Sequence, residues 1–329
     1  MSTEEQAIEE VRGAVRRGGL FARDRPLVAM ISGGRDSSCL LDVAVALLGP
    51  QGVIALHIDY GLRAASAAEA ALCRELCAQL GVELELIGAP PAPAAGEPGN
   101  LQAWARDVRY GEAQRLARRH DALIAAGHTA SDQVETILYR LAASPGRRAL
   151  LGMTPAEGRL IRPLLGVTRE QTTAYCAARG LTYADDASNL DERFARTRVR
   201  HGLLGALRAV HPAAEANVLR TAMLLREETE LLDQLVDREL AGGPSVALAR
   251  LREMPDALAR LVVVRLAEQA VGGYVPQAGG RVQELLALGR RGGRAELHVG
   301  GQAGAVIEDG RLRMVRLPPR AEKPAPDGD

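Results

Sequence analysis

The chain has 329 residues, 47% hydrophobic and 25% charged, globular values that exclude a wholly disordered or collagen-like chain and leave room for two or three cores. Its formal charge of zero hides two asymmetries: 40 of the 41 basic residues are Arg, the one Lys being Lys323, and residues 101–220 carry 18 Arg against 12 acids whereas residues 1–100 carry 8 Arg against 13. Without a core lysine the chain supports neither a Walker P-loop nor a Schiff-base enzyme, and a basic middle on a neutral chain marks a local polyanion site.

No apolar run approaches the roughly 18 residues of a membrane helix, and the start, MSTEEQAIEE, is too acidic for a signal or transit peptide. A cytoplasmic protein with no membrane partner is expected. Cys39, Cys73, Cys77 and Cys176 contain no C-x-x-C pair, which argues against a zinc ribbon or a disulfide framework.

Short apolar runs at Pro26–Ile31, Val53–Ile58, Val82–Ile87 and Ala122–Ala126 read as buried parallel strands. Between them Ser37–Leu48, Ala67–Leu80 and Leu101–Arg119 are periodic enough for crossover helices. Repeated β-α-β units predict an α/β fold with a doubly wound, mostly parallel sheet, whose ligands lie beyond the carboxyl ends of the strands. Gly88–Gly99 has the composition of a surface loop, and 195–240 is a charged helical stretch. After it come helices at Met254–Val271 and Gly280–Leu288 and β runs at Ala295–Val299, Gly304–Glu308 and Arg311–Arg316, with Asp309-Gly310 as a hairpin turn. The expected domains are therefore 1–212, a catalytic α/β unit; 213–243, a helical linker; 244–317, a small α+β unit; and 318–329, a disordered tail.

The first strand ends in Ser32-Gly33-Gly34-Arg35-Asp36-Ser37 and runs directly into an apolar helix. Two glycines before a helix N-terminus gather unpaired backbone N–H groups where an anion can approach, and Ser32 and Ser37 add hydroxyls. Asp36 repels phosphate unless a divalent metal or reacting group stands between them. The ordinary alternative is a β-α turn with Asp36 or Ser37 as a cap.

The hexapeptide resembles the signature of the PP-loop ATP pyrophosphatases. Further elements follow in order from about Leu27 to His201: His57-Ile58-Asp59-Tyr60-Gly61-Leu62-Arg63, Ala105-Arg106-Asp107-Val108-Arg109-Tyr110, Gly127-His128-Thr129-Ala130-Ser131-Asp132-Gln133-Val134-Glu135-Thr136, Arg162-Pro163-Leu164-Leu165, Asp185-Asp186-Ala187-Ser188-Asn189 and Phe194-Ala195-Arg196-Thr197-Arg198-Val199-Arg200. Together they resemble the tRNA(Ile)-lysidine synthetases. That resemblance implies a PP-loop fold, ATP with Mg2+ as cofactors, and L-lysine and an isoleucine tRNA with a CAU anticodon as substrates. In the implied ligase reaction the wobble cytidine is adenylated at O2 and the lysine ε-amine then displaces AMP. Oligomeric state stays open, a homodimer included.

On this reading Ser32, Gly33, Gly34, Arg35, Asp36, Ser37, His57 and His128 hold the nucleotide, with Asp36 as the candidate Mg2+ ligand. Asp36, Asp132 and Arg106 are the catalytic candidates, Asp132 recognising lysine's ammonium or handling its proton, since a carboxylate suits both. Arg193, Arg196, Arg198 and Arg200 would hold tRNA backbone and residues 244–317 position the tRNA. Each has a plainer alternative: a hydrogen-bonded His57, a capped helix with an i,i+3 network at Asp132, a solvated face at Arg106, internal ion pairs for the arginine run. The sequence departs from the family pattern at Asp59-Tyr60 (usually Asn-His), at Ser131 (usually Asp) and at Thr197 (usually Asn). It also resembles the shorter form of the family, without a further C-terminal domain. Two competitors remain: a PP-loop tRNA thiolase, which would use cysteine pairs, and a non-catalytic RNA-binding module.

Overall fold

The computed structural model describes residues 2–22, 24–62, 66–93, 98–143, 146–184 and 195–318, the side chains of 98–100 and 196 apart. It divides into two units, 1–225 and 226–329, with a boundary 13 residues beyond the expected end of the catalytic domain. Within the expected helical linker, Ala214–Glu239 form one continuous helix, and the tail lies outside the described residues apart from Pro318.

The first unit contains α1 (Thr3–Gly18), β1 (Leu27–Met30), α2 (Arg35–Leu48), β2 (Val53–Asp59), α3 (Ser66–Leu80), β3 (Glu83–Gly88), α4 (Pro98–Arg119), β4 (Leu123–Ala125), α5 (Ala130–Ala143), α6 (Arg147–Leu150), β5 (Ala156–Glu157), β6 (Leu160–Ile161), α7 (Arg169–Ala178), α8 (Ala195–Arg198) and α9 (Leu204–Val210), and α10 (Ala214–Glu239) begins there. Its sheet has the order β3-β2-β1-β4-β6-β5, parallel except for the β5/β6 hairpin. Alternate strand residues face opposite ways. Leu27, Ala29, Val53 and Ala55 pack against α1, α2, α3 and α7, while Val28, Met30, Ile54 and Leu56 pack against α4. Both faces are covered, which is why these strands are unbroken apolar runs.

The second unit contains β7 (Ser245–Ala247), α11 (Leu248–Glu253), α12 (Asp256–Val271), α13 (Val282–Gly289), β8 (Ala295–Gly300), β9 (Ala303–Glu308) and β10 (Arg311–Arg316). Its sheet is antiparallel in the order β7-β10-β9-β8. The β9-β10 turn has positive φ at both Asp309 (49°) and Gly310 (71°), the geometry a two-residue hairpin favours.

One buried carboxylate ties the helices over the first sheet face together. Asp42 of α2 accepts hydrogen bonds from Tyr175 Oη at 2.5 Å, from Arg179 Nε and Nη2 at 3.1 Å each and from Arg12 Nη2 at 3.3 Å. Burial pushes the Asp42 carboxyl up, but the Arg179 and Tyr175 hydrogen bonds and the charges of Arg179 and Arg12 outweigh it and hold the group below its ordinary value. A carboxyl depressed in the folded state adds stability above its unfolded pKa of about 4 and loses it as pH falls through the lower folded value. Asp42→Asn is therefore expected to lower stability by about 2–4 kcal/mol at pH 7, because it leaves two guanidinium groups without their anion. It should also flatten the loss of stability below roughly pH 4; urea melts at pH 7 and through the acid range check both.

Candidate active site

The chain leaves β1 outward through β2 and β3 and returns on the other side at β4, so the strand order reverses between β1 and β4. Open α/β sheets bind ligands at that reversal, beyond the strand ends. Here a cavity of about 470 Å³ opens between the segment after β1 and the segment after β4, lined by Ser32, Gly34, Asp36, Ser37, His128 and Asp132 together with Arg35, Arg109, Tyr110, Arg169, Arg200 and His201.

The turn after β1 is held by its own hydroxyls. Ser37 Oγ accepts from the Ser32 amide at 3.1 Å and donates to the Gly34 carbonyl at 2.8 Å, and Ser38 Oγ donates to the same carbonyl at 3.1 Å. Gly34 is the N-cap of α2 with no side-chain cap, so the first amides of the helix have no intrahelical acceptor and suit an anion. Gly33, at φ 79°, faces the start of α3, where a Cβ would lie 3.3 Å from the Glu69 carbonyl oxygen. Gly127, after β4, passes so close to this turn that a Cβ would lie 3.2 Å from the Asp36 carbonyl oxygen and 3.3 Å from Ser37 N.

Asp36 is already partnered. Its carboxylate accepts from Arg35 Nε at 3.0 Å and Nη2 at 3.2 Å and from Thr172 Oγ1 at 2.6 Å. Arg35 also donates to Thr172 Oγ1 and Thr173 Oγ1 at 3.1 Å each. Both residues are thereby attached to α7, and their charges are matched within the protein.

At the start of α5, Thr129 and Asp132 form a reciprocal cap: Asp132 Oδ2 accepts from Thr129 N and Oγ1 at 2.8 Å each, and Thr129 Oγ1 accepts from Asp132 N at 3.4 Å. Its other oxygen, Oδ1, has Arg200 Nη2 at 3.7 Å and Arg169 Nη2 at 3.9 Å. The i,i+3 network expected as the plainer alternative is thus present, and the same carboxylate also lines the cavity. Arg200 donates to the fully buried Glu135 through Nε at 2.6 Å and Nη2 at 3.1 Å. Burial alone would lower the Arg200 pKa; the Glu135 hydrogen bond and charge, with Asp132 and Asp36 behind, raise it.

Several expected site residues lie elsewhere. His57 sits in a separate cleft of about 50 Å³ with Asp59, Tyr60 and Glu69, its Nδ1 3.1 Å from the Ile31 carbonyl oxygen and 3.4 Å from Cys73 Sγ. It belongs to the buried α3 side of β2. Arg106 is exposed and stacks over the Tyr110 ring at 4.5 Å, off the cavity wall. Of the arginine run, Arg200 lies on the cavity wall, paired with Glu135, while Arg198 is exposed. Arg193, the side chain of Arg196 and the Asp185–Phe194 part of the motif lie outside the described residues. Tyr60 donates to the Ala105 carbonyl at 2.9 Å and Asp59 Oδ1 accepts from the Gly61 amide at 2.9 Å, so this departure from the family pattern ties the end of β2 to α4. Ser131 Oγ accepts from the Arg169 amide at 3.3 Å and is not on the cavity wall. Arg109 and Tyr110 stood within a quoted motif without a role; Arg169 and Thr172 carried no sequence signal, since only folding brings α7 to the turn after β1.

A family model described as a PP-loop domain matches residues 4–207. The chain is 38% identical over 331 residues to the tRNA(Ile)-lysidine synthase of Symbiobacterium thermophilum, an alignment covering 93% of this chain and 68% of that one. It is 36% identical over 271 residues to the tRNA(Ile)-lysidine synthase of Mycobacterium tuberculosis, covering 79% and 80%. Among solved structures, the U34-tRNA thiolase NcsA from Methanococcus maripaludis superposes with a TM-score of 0.57 at 16% identity, covering 68% of this chain and 80% of that one; at that identity the likeness is one of fold.

The close approach at Gly127 is testable by itself. A methyl there meets backbone atoms of Asp36 and Ser37, so Gly127→Ala is expected to destabilise the fold by about 1–3 kcal/mol. Gly111, exposed in α4, has nothing within 4 Å of an added Cβ, and Gly111→Ala should stabilise by about 0.5–1 kcal/mol. Paired thermal melts of the two variants separate crowding at the turn from the helix propensity of alanine.

Proposed function

Because the chain belongs to the tRNA(Ile)-lysidine synthase family, we propose that it uses ATP to adenylate O2 of the wobble cytidine in AUA-decoding isoleucine tRNA and joins lysine to C2, releasing AMP and giving lysidine. The observation that carries this reading is the cavity at the strand-order reversal, where the turn after β1, Asp132 and several guanidinium groups meet.

Adenylation turns a poor leaving oxygen into part of a phosphate ester, so that an amine can attack the adjacent carbon. The amides at the start of α2 and the guanidinium groups of the cavity offer preorganised positive charge for the phosphates. Magnesium, when bound with the nucleotide, supplies further charge to the same oxygens. It commonly takes one or two carboxylates, with phosphate oxygens and waters completing its shell. Asp36 is the carboxylate on the cavity wall beside the turn after β1, and it would take that limited role by exchanging its Arg35 fork for the metal. No group of three or more His, Cys, Asp or Glu among the described residues forms a cage for a metal.

Asp132 is the group we assign to the incoming lysine: held by Thr129 through Oδ2, it can attract the ammonium through Oδ1 and take its proton. Arg200 and Arg169 flank that oxygen at 3.7 and 3.9 Å. His128 stands on the same wall. The competing thiolase reading is disfavoured by the cysteines, all four free and buried. Burial pushes the Cys73 thiol up to about 12 and Cys77 to about 11, which suppresses the thiolate that sulfur transfer requires.

Mass spectrometry of nucleosides from a minor isoleucine tRNA, incubated with the protein, lysine and ATP, should show lysidine at the wobble position; unmodified cytidine there, or incorporated sulfur, overturns the proposal. Asp36→Asn should nearly abolish AMP formation while leaving tRNA affinity near wild type, and Asp132→Ala should raise the KM for lysine more than that for ATP. For tRNA contact, Arg198→Ala should weaken binding and reduce the salt slope by roughly 0.7–0.9. Arg200→Ala should instead lower the melting temperature and leave the slope of the folded fraction unchanged.

A further inference from the structure

The arginines of the cavity are not equivalent. Arg35 is forked onto Asp36 and Arg200 onto Glu135, each through two hydrogen bonds. Arg109 and Arg169 make no such bidentate pair among the described residues, and the Nε of each is buried without a hydrogen-bond partner. A buried guanidinium N–H left unpaired is costly, and in a cavity it marks where a ligand acceptor belongs. Arg109 reaches the wall from α4 and lies against the Tyr110 ring at 5.6 Å. Arg169 begins α7, one turn before Thr172, whose hydroxyl holds Asp36.

Arg169 is also firmly placed. Thr168 and Gln171 form a reciprocal cap on α7, with Gln171 Oε1 accepting from Thr168 N at 2.7 Å and Thr168 Oγ1 from Gln171 N at 3.2 Å. The Arg169 amide is held by Ser131, and Val167 accepts from the Ala130 amide at 2.8 Å. The guanidinium thus stands beside the anion-binding turn on two anchored helix starts, with Asp132 Oδ1 at 3.9 Å as its carboxylate neighbour.

We propose that Arg169 is the cation that receives the pyrophosphate leaving group of the adenylation step, an inference that rests on the proposed function. In that step cytidine O2 forms a bond to the α-phosphorus as the bond from that phosphorus to the bridging oxygen breaks. The electron pair leaves with pyrophosphate and the cytidine ring takes the compensating positive charge. Arg169 exchanges neither proton nor electron; its fork meets the charge that builds on the departing oxygens. In a chain whose one lysine is Lys323, this task falls to a guanidinium.

Calorimetric titration with inorganic pyrophosphate, together with single-turnover adenylation of tRNA, tests the assignment. Arg169→Ala is expected to weaken pyrophosphate binding at least ~10-fold and slow adenylation ~100-fold, with the lysine KM unchanged and added guanidinium ion restoring part of the rate. Arg169→Gln, which keeps length and hydrogen bonding but not charge, should behave likewise and carries the test if the alanine variant does not fold. A folded variant with wild-type pyrophosphate affinity, or a wild-type protein that does not bind pyrophosphate, overturns the proposal. A wild-type protein that binds pyrophosphate yet makes no lysidine overturns the functional reading instead.

Discussion

The hydrogen bond from Thr172 Oγ1 to Asp36 Oδ1, 2.6 Å long, joins residues 136 positions apart, and the arrangement of the cavity follows from it. It fixes the first turn of α2 against α7, so that Arg35 can lie along α7 and reach Thr172 and Thr173. It also brings the N-terminus of α7, and Arg169 with it, to the turn after β1. Further along the same two helices, Asp42 repeats the attachment through Tyr175 and Arg179. Two acids of α2 are thus each bound to α7, Asp36 on the cavity wall and Asp42 buried off it. The buried one holds the helices together; the other leaves the turn rigid enough to present its amides to a ligand.

Arginine in place of lysine shapes the electrostatics. A lysine brought into a partly dry cavity can lose its proton, whereas a guanidinium stays charged and is oriented by the carboxylate it forks onto. The buried Glu135 would be costly alone and is matched by Arg200. That pairing keeps Arg200 beside Asp132, with its Nη2 3.7 Å from Asp132 Oδ1. The cavity therefore combines guanidinium groups forked onto acids, Arg35 and Arg200, with two, Arg109 and Arg169, that carry no such fork among the described residues and whose Nε has no hydrogen-bond partner.

Much of this could be read from the residues. The strands β1 to β4 begin and end within one residue of the runs that predict them; β1, buried throughout, is an unbroken apolar run, whereas the edge strand β3 alternates Glu83 and Glu85 with leucines. The reversal between β1 and β4 is what makes the segments 32–37 and 127–132 neighbours, and both stood out as motifs. Other features were not legible. β5 and β6 have two residues each, too short for any pattern, and α7 presents Arg169 and Thr172 through contacts that no local spacing encodes. The place of His57 follows from strand alternation: it follows Val53 and Ala55 in β2, so its ring turns to the α3 side and meets Cys73, while its neighbours Leu56 and Ile58 face α4. Within the arginine run from 193 to 200, Arg198 is exposed while Arg200, two positions on, turns inward to Glu135, so one motif serves two environments.

The serine at 131, where the family pattern has a second acid, takes its meaning from the same contacts. Its Oγ accepts from the Arg169 amide, a bond a carboxylate could also make, so the hydroxyl preserves the anchor of α7. What it removes is a negative charge beside the first residue of that helix. An acid there would stabilise the helix start through the macrodipole, but it would also compete with any phosphate for the Arg169 guanidinium. With serine, the attachment between α5 and α7 is kept by a neutral acceptor and by the Thr168-Gln171 cap. The positive charge at the cavity rim is then opposed chiefly by Asp132, whose nearer oxygen lies beyond hydrogen-bond distance at 3.9 Å. The hydroxyl thus holds the start of the helix that presents Arg169 without placing a negative charge beside it.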